Sequence, residues 1–302
     1  MTARLTKLIV IMFFLCFLIW LFIVFNESTP EYTYGNSLQG FAHIIDNLLI
    51  KNYWSLGFVE EVMNGAKYEP SGVCPHQCWS ETNILHPGIH GMIGWKPNAP
   101  EQEAVLAPRF PINWDSIYVE NLKMGESSIS FQKDQKKNET VYTIRLQKGG
   151  PVSLRFQPEI PTGMEIKSIR IDNREIDVPK DFSRSLISTP ISVQLTGEHR
   201  IHIEHANGIM MVPKICRPKP GDNSSGYRIL NSYLTGNQFE VLLEGKSGTQ
   251  SEFELKIFDQ KIKRITGAKV LQTSPEGIIK IQVYFPESRH RFVQKNVKVE
   301  IG

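Results

Sequence analysis

Cysteine, excess charge and long apolar runs are all scarce in this sequence. There are four cysteines in 302 residues, too few for a disulfide framework to organise a chain of this length. The net charge is +3, which leaves no strongly basic surface for a nucleic-acid backbone. With 41% hydrophobic and 22% charged residues, the chain is neither disordered nor collagen-like. A stretch of 18 residues, Leu8 to Phe25 (LIVIMFFLCFLIWLFIVF), is free of charge and nothing comparable follows. A polytopic membrane protein is thereby excluded, and at ~100–200 residues per domain the rest has room for about two globular units.

The apolar run is the first positive feature. Runs of ~17–25 residues match a bilayer, whereas a cleavable signal peptide has an apolar region of ~7–15 residues and small residues at the cut. This run ends in Phe25-Asn26-Glu27 with no A-x-A pattern. Arg4 and Lys7 precede it, and the first basic residue after it is Lys51. The positive-inside bias then predicts a cytoplasmic stub at 1–7, a transmembrane helix at 8–25 and an extracytoplasmic remainder at 26–302. A signal peptide and an out-of-frame or replacement segment are the alternatives, the last leaving the chain cytoplasmic.

Metal chemistry has little to rest on. Cys74 and Cys78 bracket Pro75-His76-Gln77, but a zinc site needs a second ligand pair, and none follows. His199, His202 and His205 fall in a segment of strand pattern, where alternation puts His202 on one face and the other two on the opposite face. They read as a solvated edge or turn. No metal and no cofactor are expected.

Helical spacing of Leu38, Phe41, Ile44, Ile45, Leu48 and Leu49 predicts one amphipathic helix over 36–52. A second is expected to open near Pro75 and run to Gly94, kinked or ended midway by Pro87. From Trp95 onward the period is two. Strands are expected at Val141–Leu146, Val152–Phe156, Ile166–Ile171, Ile191–Leu195, Arg200–Glu204, Phe239–Leu243, Glu252–Phe258, Ile278–Tyr284 and Val297–Ile301, with turn residues between many of them. Short strands at this density predict β-sandwiches. The Pro-rich stretch from Met211 to Ser225 separates two modules, 96–212 and 226–302.

The densest chemical signal is residues 57–80, GFVEEVMNGAKYEPSGVCPHQCWS. It resembles the last part of the catalytic barrel in glycogen-debranching, amylo-alpha-1,6-glucosidase-like glycoside hydrolases, where a carboxylate-bearing segment precedes a loop and then C-P-x-Q-x-W-S. The matching residues are Glu61-Val62 with Gly65, Cys74-Pro75, Gln77 and Trp79-Ser80; Glu60 stands where the family often has proline. The likeness continues through Gly91 to Pro100, Leu106 to Pro111, Trp114-Asp115 and Asn121 to Gly125, covering roughly residues 35–130. It implies inverting hydrolysis on an (α/α)6 barrel, in which a carboxylic acid protonates the leaving oxygen and a carboxylate ~6.5–9.5 Å away activates water. By motif position Glu61 is the general base, and Glu60, Gln77 and Trp79 belong to the sugar site, Trp79 offering a ring face.

Compared with that family the sequence is short. One expected helix separates Phe25 from Glu60, so the general acid and most of the barrel are missing. The resulting expectation is a mainly β chain. Two helices at 35–95, the remnant of an (α/α)6 barrel, precede two β-sandwich modules behind one N-terminal transmembrane helix. It is a membrane-tethered part of a debranching-type α-glucosidase, inactive unless a complementing chain carries the rest. An α-glucan or oligosaccharide is the expected ligand, with Trp54, Trp79, Trp95 and Trp114 as candidate stacking surfaces, although most of the four are expected to pack the seam between helices and sandwich. The alternative is an anchored β-sandwich carbohydrate-binding or adhesion protein. Helices cut from a barrel should also leave the apolar faces Leu38–Leu49 and Trp79–Met92 incompletely covered.

Overall fold

A computed structural model describes residues 28–50, 58–62, 64–74, 78–177, 182–183, 186–187, 190–215, 217–223 and 225–302. Among the described residues three helices come first: α1 (Ser28–Thr33), α2 (Ser37–Ile50) and α3 (Cys78–His86), the last running into a π-helical segment, Pro87–Met92. Proline has no N–H to give to an α-helical ladder. The bonding accordingly lengthens after Pro87, with Ile93 N–H donating to Gly88 O at 2.9 Å, five residues back.

The first β unit contains β1 (Trp95–Asn98), β2 (Glu103–Leu106), β3 (Ser116–Met124), β4 (Ser127–Gln135), β5 (Glu139–Lys148), β6 (Val152–Phe156), β7 (Glu165–Ile171) and β8 (Arg174–Ile176). The short hairpin β9 (Phe182–Ser183) and β10 (Leu186–Ile187) follows, then β11 (Ile191–Leu195) and β12 (Glu198–Ala206). A four-stranded sheet runs β1-β2-β6-β11 and a six-stranded one β3-β4-β5-β12-β7-β8. In β6 and β11 buried and exposed residues alternate strictly, and their inward side chains Val152, Leu154, Phe156, Ile191, Val193 and Leu195 meet Ile129, Phe131, Ile144, Ile169, Ile201 and Ile203 of the other sheet in one core. Two sheets sharing a core in this way make a sandwich.

A second sandwich is built from β13 (Ile209–Val212), β14 (Tyr227–Thr235), β15 (Gln238–Lys246), β16 (Gln250–Ile257), β17 (Ile262–Thr266), β18 (Lys269–Thr273), β19 (Ile278–Tyr284) and β20 (Phe292–Ile301). Its sheets run β13-β16-β19-β18 and β14-β15-β20-β17. β13 falls within the 96–212 range, yet it pairs with β16, so this strand is stitched into the second unit. A further apolar cluster of Ile112, Ile160, Met164, Met210, Val212 and Phe258 joins the two units. Lys256 crosses the same seam, its ammonium 2.5 Å from Asp115 Oδ1.

The expected architecture needs one correction. Among the described residues no helix is long and apolar enough to cross a membrane; what they form is a short helical segment on two β-sandwiches. The Leu8–Phe25 run lies outside the described residues.

The helical faces divide. Leu38, Phe41, Ile44 and Ile50 are buried; Leu38 enters the core of the second sandwich, and Phe41 meets Trp114 edge-on with ring centroids 5.8 Å apart. Tyr32 of α1 is fully buried against Gly91, where a Cβ would come within 2.4 Å of its ring. Leu85 and Ile89 remain 63% and 41% exposed. The face of α2 is thus largely covered, while α3 and the π segment carry the uncovered apolar surface.

Candidate functional site

The segment around Glu60 and Glu61 is an irregular loop held at several points. Glu60 is 1% exposed; its carboxylate accepts from Ser71 N–H at 2.8 Å, from the Ser71 hydroxyl at 3.1 Å and from Gly72 N–H at 3.0 Å. A buried carboxylate needs such donors to offset its lost hydration. Tyr68 fastens the loop elsewhere: its hydroxyl donates to Leu49 O at 2.6 Å at the end of α2, and its N–H donates to Asp222 O at 2.8 Å in the linker. Glu60 is spent on closing its own loop, and the half-buried Glu61 has its backbone fixed by N–H donation toward Val73 O at 3.2 Å and Cys74 O at 3.3 Å.

Gln77 lies outside the described residues, and Trp79 is placed in the first turn of α3. Trp54 also lies outside them. Trp95 is buried, with its indole N–H donating to Lys123 O at 3.1 Å. Trp114 packs between Phe41 and Phe110. These two tryptophans pack at the seam, as most of the four are expected to.

A second constellation, which no sequence motif marks, is centred on Glu159 just beyond β6. Its Oε1 accepts from the Ser37 hydroxyl at 2.6 Å, while Oε2, with less than 1 Å² of accessible surface, has no hydrogen-bond partner. Burial pushes this carboxyl up to about 7, against the opposing pull of the Ser37 hydrogen bond and of the cations Arg109 and Lys133. Burial likewise lowers Lys133 to about 8. A cavity of about 20 Å³ is lined by Glu159, Lys133, Gln135, Tyr142 and His205 among others, enough for about one water molecule. Gln135 Nε2 and His205 Nδ1 are also buried without partners, so polar groups surround this small space from several strands. On its other side Glu159 lines an open groove of about 480 Å³. A lone glutamate after a strand carries no motif, which is why sequence patterning passed over it.

The histidines are not a solvated edge. β12 lies between β5 and β7 inside the six-stranded sheet; His205 is buried against Thr140 Oγ1 at 3.1 Å, and His199 Nδ1 lies 2.6 Å from Asp172 Oδ2. Among the described residues no group of three or more His, Cys, Asp or Glu side chains converges on a point that would hold a metal ion.

No protein-family model matches the chain, and no curated protein does. Solved structures similar to it include a GH127 β-L-arabinofuranosidase from Geobacillus stearothermophilus T6, at 7% identity and a TM-score of 0.30, over 78% of this chain and 36% of that one. Another, described as a glycoside hydrolase, aligns at 9% identity and a TM-score of 0.31 over 90% of this chain and 46% of that one. The chain spans less than half the length of either.

Proposed function

We propose that this chain is the base-bearing, β-sandwich end of a debranching-type glycoside hydrolase acting on α-glucan. Glu61 is the general base, and the proton donor is supplied by another chain. The observation that supports this reading is how Glu60 closes its loop. Glu60 is committed to Ser71 and Gly72, which fixes the backbone from which Glu61 projects, as a general base must be fixed relative to its water. In this reading Trp79 and Gln77 contribute to the sugar site and Glu60 acts as a positioning residue. A base without its acid loses the protonation of the leaving oxygen, so the chain alone is inactive.

The test is complementation. Mixed with a separately produced chain carrying the upstream barrel helices, the wild-type protein is expected to release glucose from an α-1,6-branched oligosaccharide, and Glu61→Gln to abolish that release. No activity in the wild-type mixture, or equal activity with Glu61→Gln, overturns the proposal.

A further inference from the structure

His86 and His90 form a pair that neither the Glu61 loop nor the Glu159 constellation uses. His86 ends α3 and His90 lies in the π segment that follows it, with their ring centroids 4.6 Å apart and their planes inclined at 51°. We propose that the two imidazoles chelate one divalent transition-metal ion, Zn²⁺, Ni²⁺ or Cu²⁺, through their Nε2 atoms, with water completing the coordination. This inference does not rest on the hydrolase reading, and a two-histidine chelate is compatible with the absence of a three-ligand cluster among the described residues.

The helix supplies the approach. Four residues along an α-helix overshoot a full turn by about 40°, whereas the π winding that begins at Pro87 is wider and reduces the overshoot. Side chains at positions 86 and 90 are therefore stacked along the axis on one face. Metal–nitrogen bonds of ~2.0–2.1 Å set at ~90–110° on one ion put two imidazole centroids roughly 4.5–5.2 Å apart. The observed separation of 4.6 Å falls in that interval, so chelation asks for ring rotation and no movement of the backbone.

The second observation is how His90 is oriented. Its Nδ1 lies 2.8 Å from Trp95 O, and a carbonyl oxygen only accepts, so Nδ1 carries the proton and the neutral ring presents its lone pair at Nε2. Trp95 opens β1 and is buried, with its indole N–H bonded to Lys123 O, which fixes the accepting carbonyl. Donation of the second ring nitrogen to a backbone carbonyl is how metal-binding histidines are usually held.

The third observation is the open side that His86 provides. It is exposed, and no hydrogen bond to another described residue holds its ring. Desolvation and the adjacent His90 ring both lower its affinity for a proton, so its lone pair is available at neutral pH. Two protonated rings at this distance would repel, whereas one ion between them replaces both protons. Imidazole nitrogens suit zinc, nickel and copper, while magnesium and calcium take oxygen ligands. Solvent at His86 supplies the water for the remaining positions.

The experiment titrates the full chain, first stripped of metal by chelator, with Zn²⁺ at neutral pH, followed by calorimetry and by long-range proton–nitrogen spectra of the imidazoles. A saturable site is expected, at which the Nε2 resonances of His86 and His90 shift while His90 Nδ1 keeps its proton. His86→Ala should weaken this site about tenfold or more, since one ligand replaces a chelate. Its metal-free melting temperature should stay close to wild type, because the ring makes no hydrogen bond. His90→Ala should weaken binding as far, His290→Ala on its exposed loop should bind as wild type, and Mg²⁺ should not compete. Absence of saturable Zn²⁺ binding overturns the proposal, as does affinity unchanged in His86→Ala. Coordination of His90 through Nδ1, or displacement of Zn²⁺ by Mg²⁺, would overturn it as well.

Discussion

The Ser37 hydroxyl lies 2.6 Å from Glu159 Oε1 across 122 positions of sequence, tying the first turn of α2 to the segment leaving β6. With Oε2 unpartnered, this is the carboxylate's one strong hydrogen bond to a side chain. Ser37→Ala is expected to destabilise the fold by ~1–3 kcal/mol, the range for a hydrogen bond to a charged or desolvated group. Urea denaturation would show it as a lower midpoint at unchanged slope.

Stability should also fall with rising pH on account of Glu159. Burial pushes the folded carboxyl up to about 7 from the ordinary 4.5, so between those values the folded state holds a proton that the unfolded state has released. In that window stability decreases as pH rises, by at most about 3 kcal/mol, and levels off above pH 7. Glu159→Gln keeps an acceptor for Ser37 and should remove this slope, being more stable than wild type at pH 8 and close to it at pH 5. An unchanged slope in the variant would assign the pH dependence to other groups.

The loop around Glu60 should depend on its carboxylate. Glu60→Gln removes a buried charge from three donors and is expected to cost ~1.5–3 kcal/mol, with faster amide exchange at Ser71 and Gly72. A loss below ~0.5 kcal/mol with unchanged exchange at both amides would contradict the assignment of Glu60 to closing the loop.

Gly94, between the π segment and β1, has φ +70°, and a Cβ there would lie 2.0 Å from Ala107 O. The same pair is joined by Ala107 N–H donating to Gly94 O at 3.0 Å. Gly94→Ala combines an unfavourable backbone region with a backbone clash and should destabilise by about 2 kcal/mol or more. A thermal melt within one degree of wild type would show that this junction relaxes freely.

Much of the β framework was legible because its chemistry is repetitive. Val152–Phe156, Ile191–Leu195 and Ile278–Tyr284 are expected and observed with the same bounds, and each alternates apolar and polar residues. β4 was not legible, since it buries Ser127, Ser128, Ser130 and Lys133 beside Ile129 and Phe131, and polar residues at inward positions erase the period. β3 hides behind a register shift between Val119 and Leu122 around Asn121, which has φ +61°. Of the site, the loop was visible through its motif, but its closure by Glu60 depends on Ser71 and Gly72, which no local pattern links to that residue. Glu159 and Ser37 meet only through tertiary folding.

The strand β13 has one further consequence. It follows β12 after a turn at Asn207 and Gly208, both in the left-handed region, and hydrogen bonds along β16. Cutting the chain at the proline-rich linker would take Ile209–Val212 away from the second unit, strip the partner from one edge of β16, and leave an apolar strand hanging from the first. The covalent seam and the hydrogen-bonded seam fall at different places, so neither half is a self-sufficient part. The two sandwiches are expected to melt, and to be transferred between proteins, as one piece.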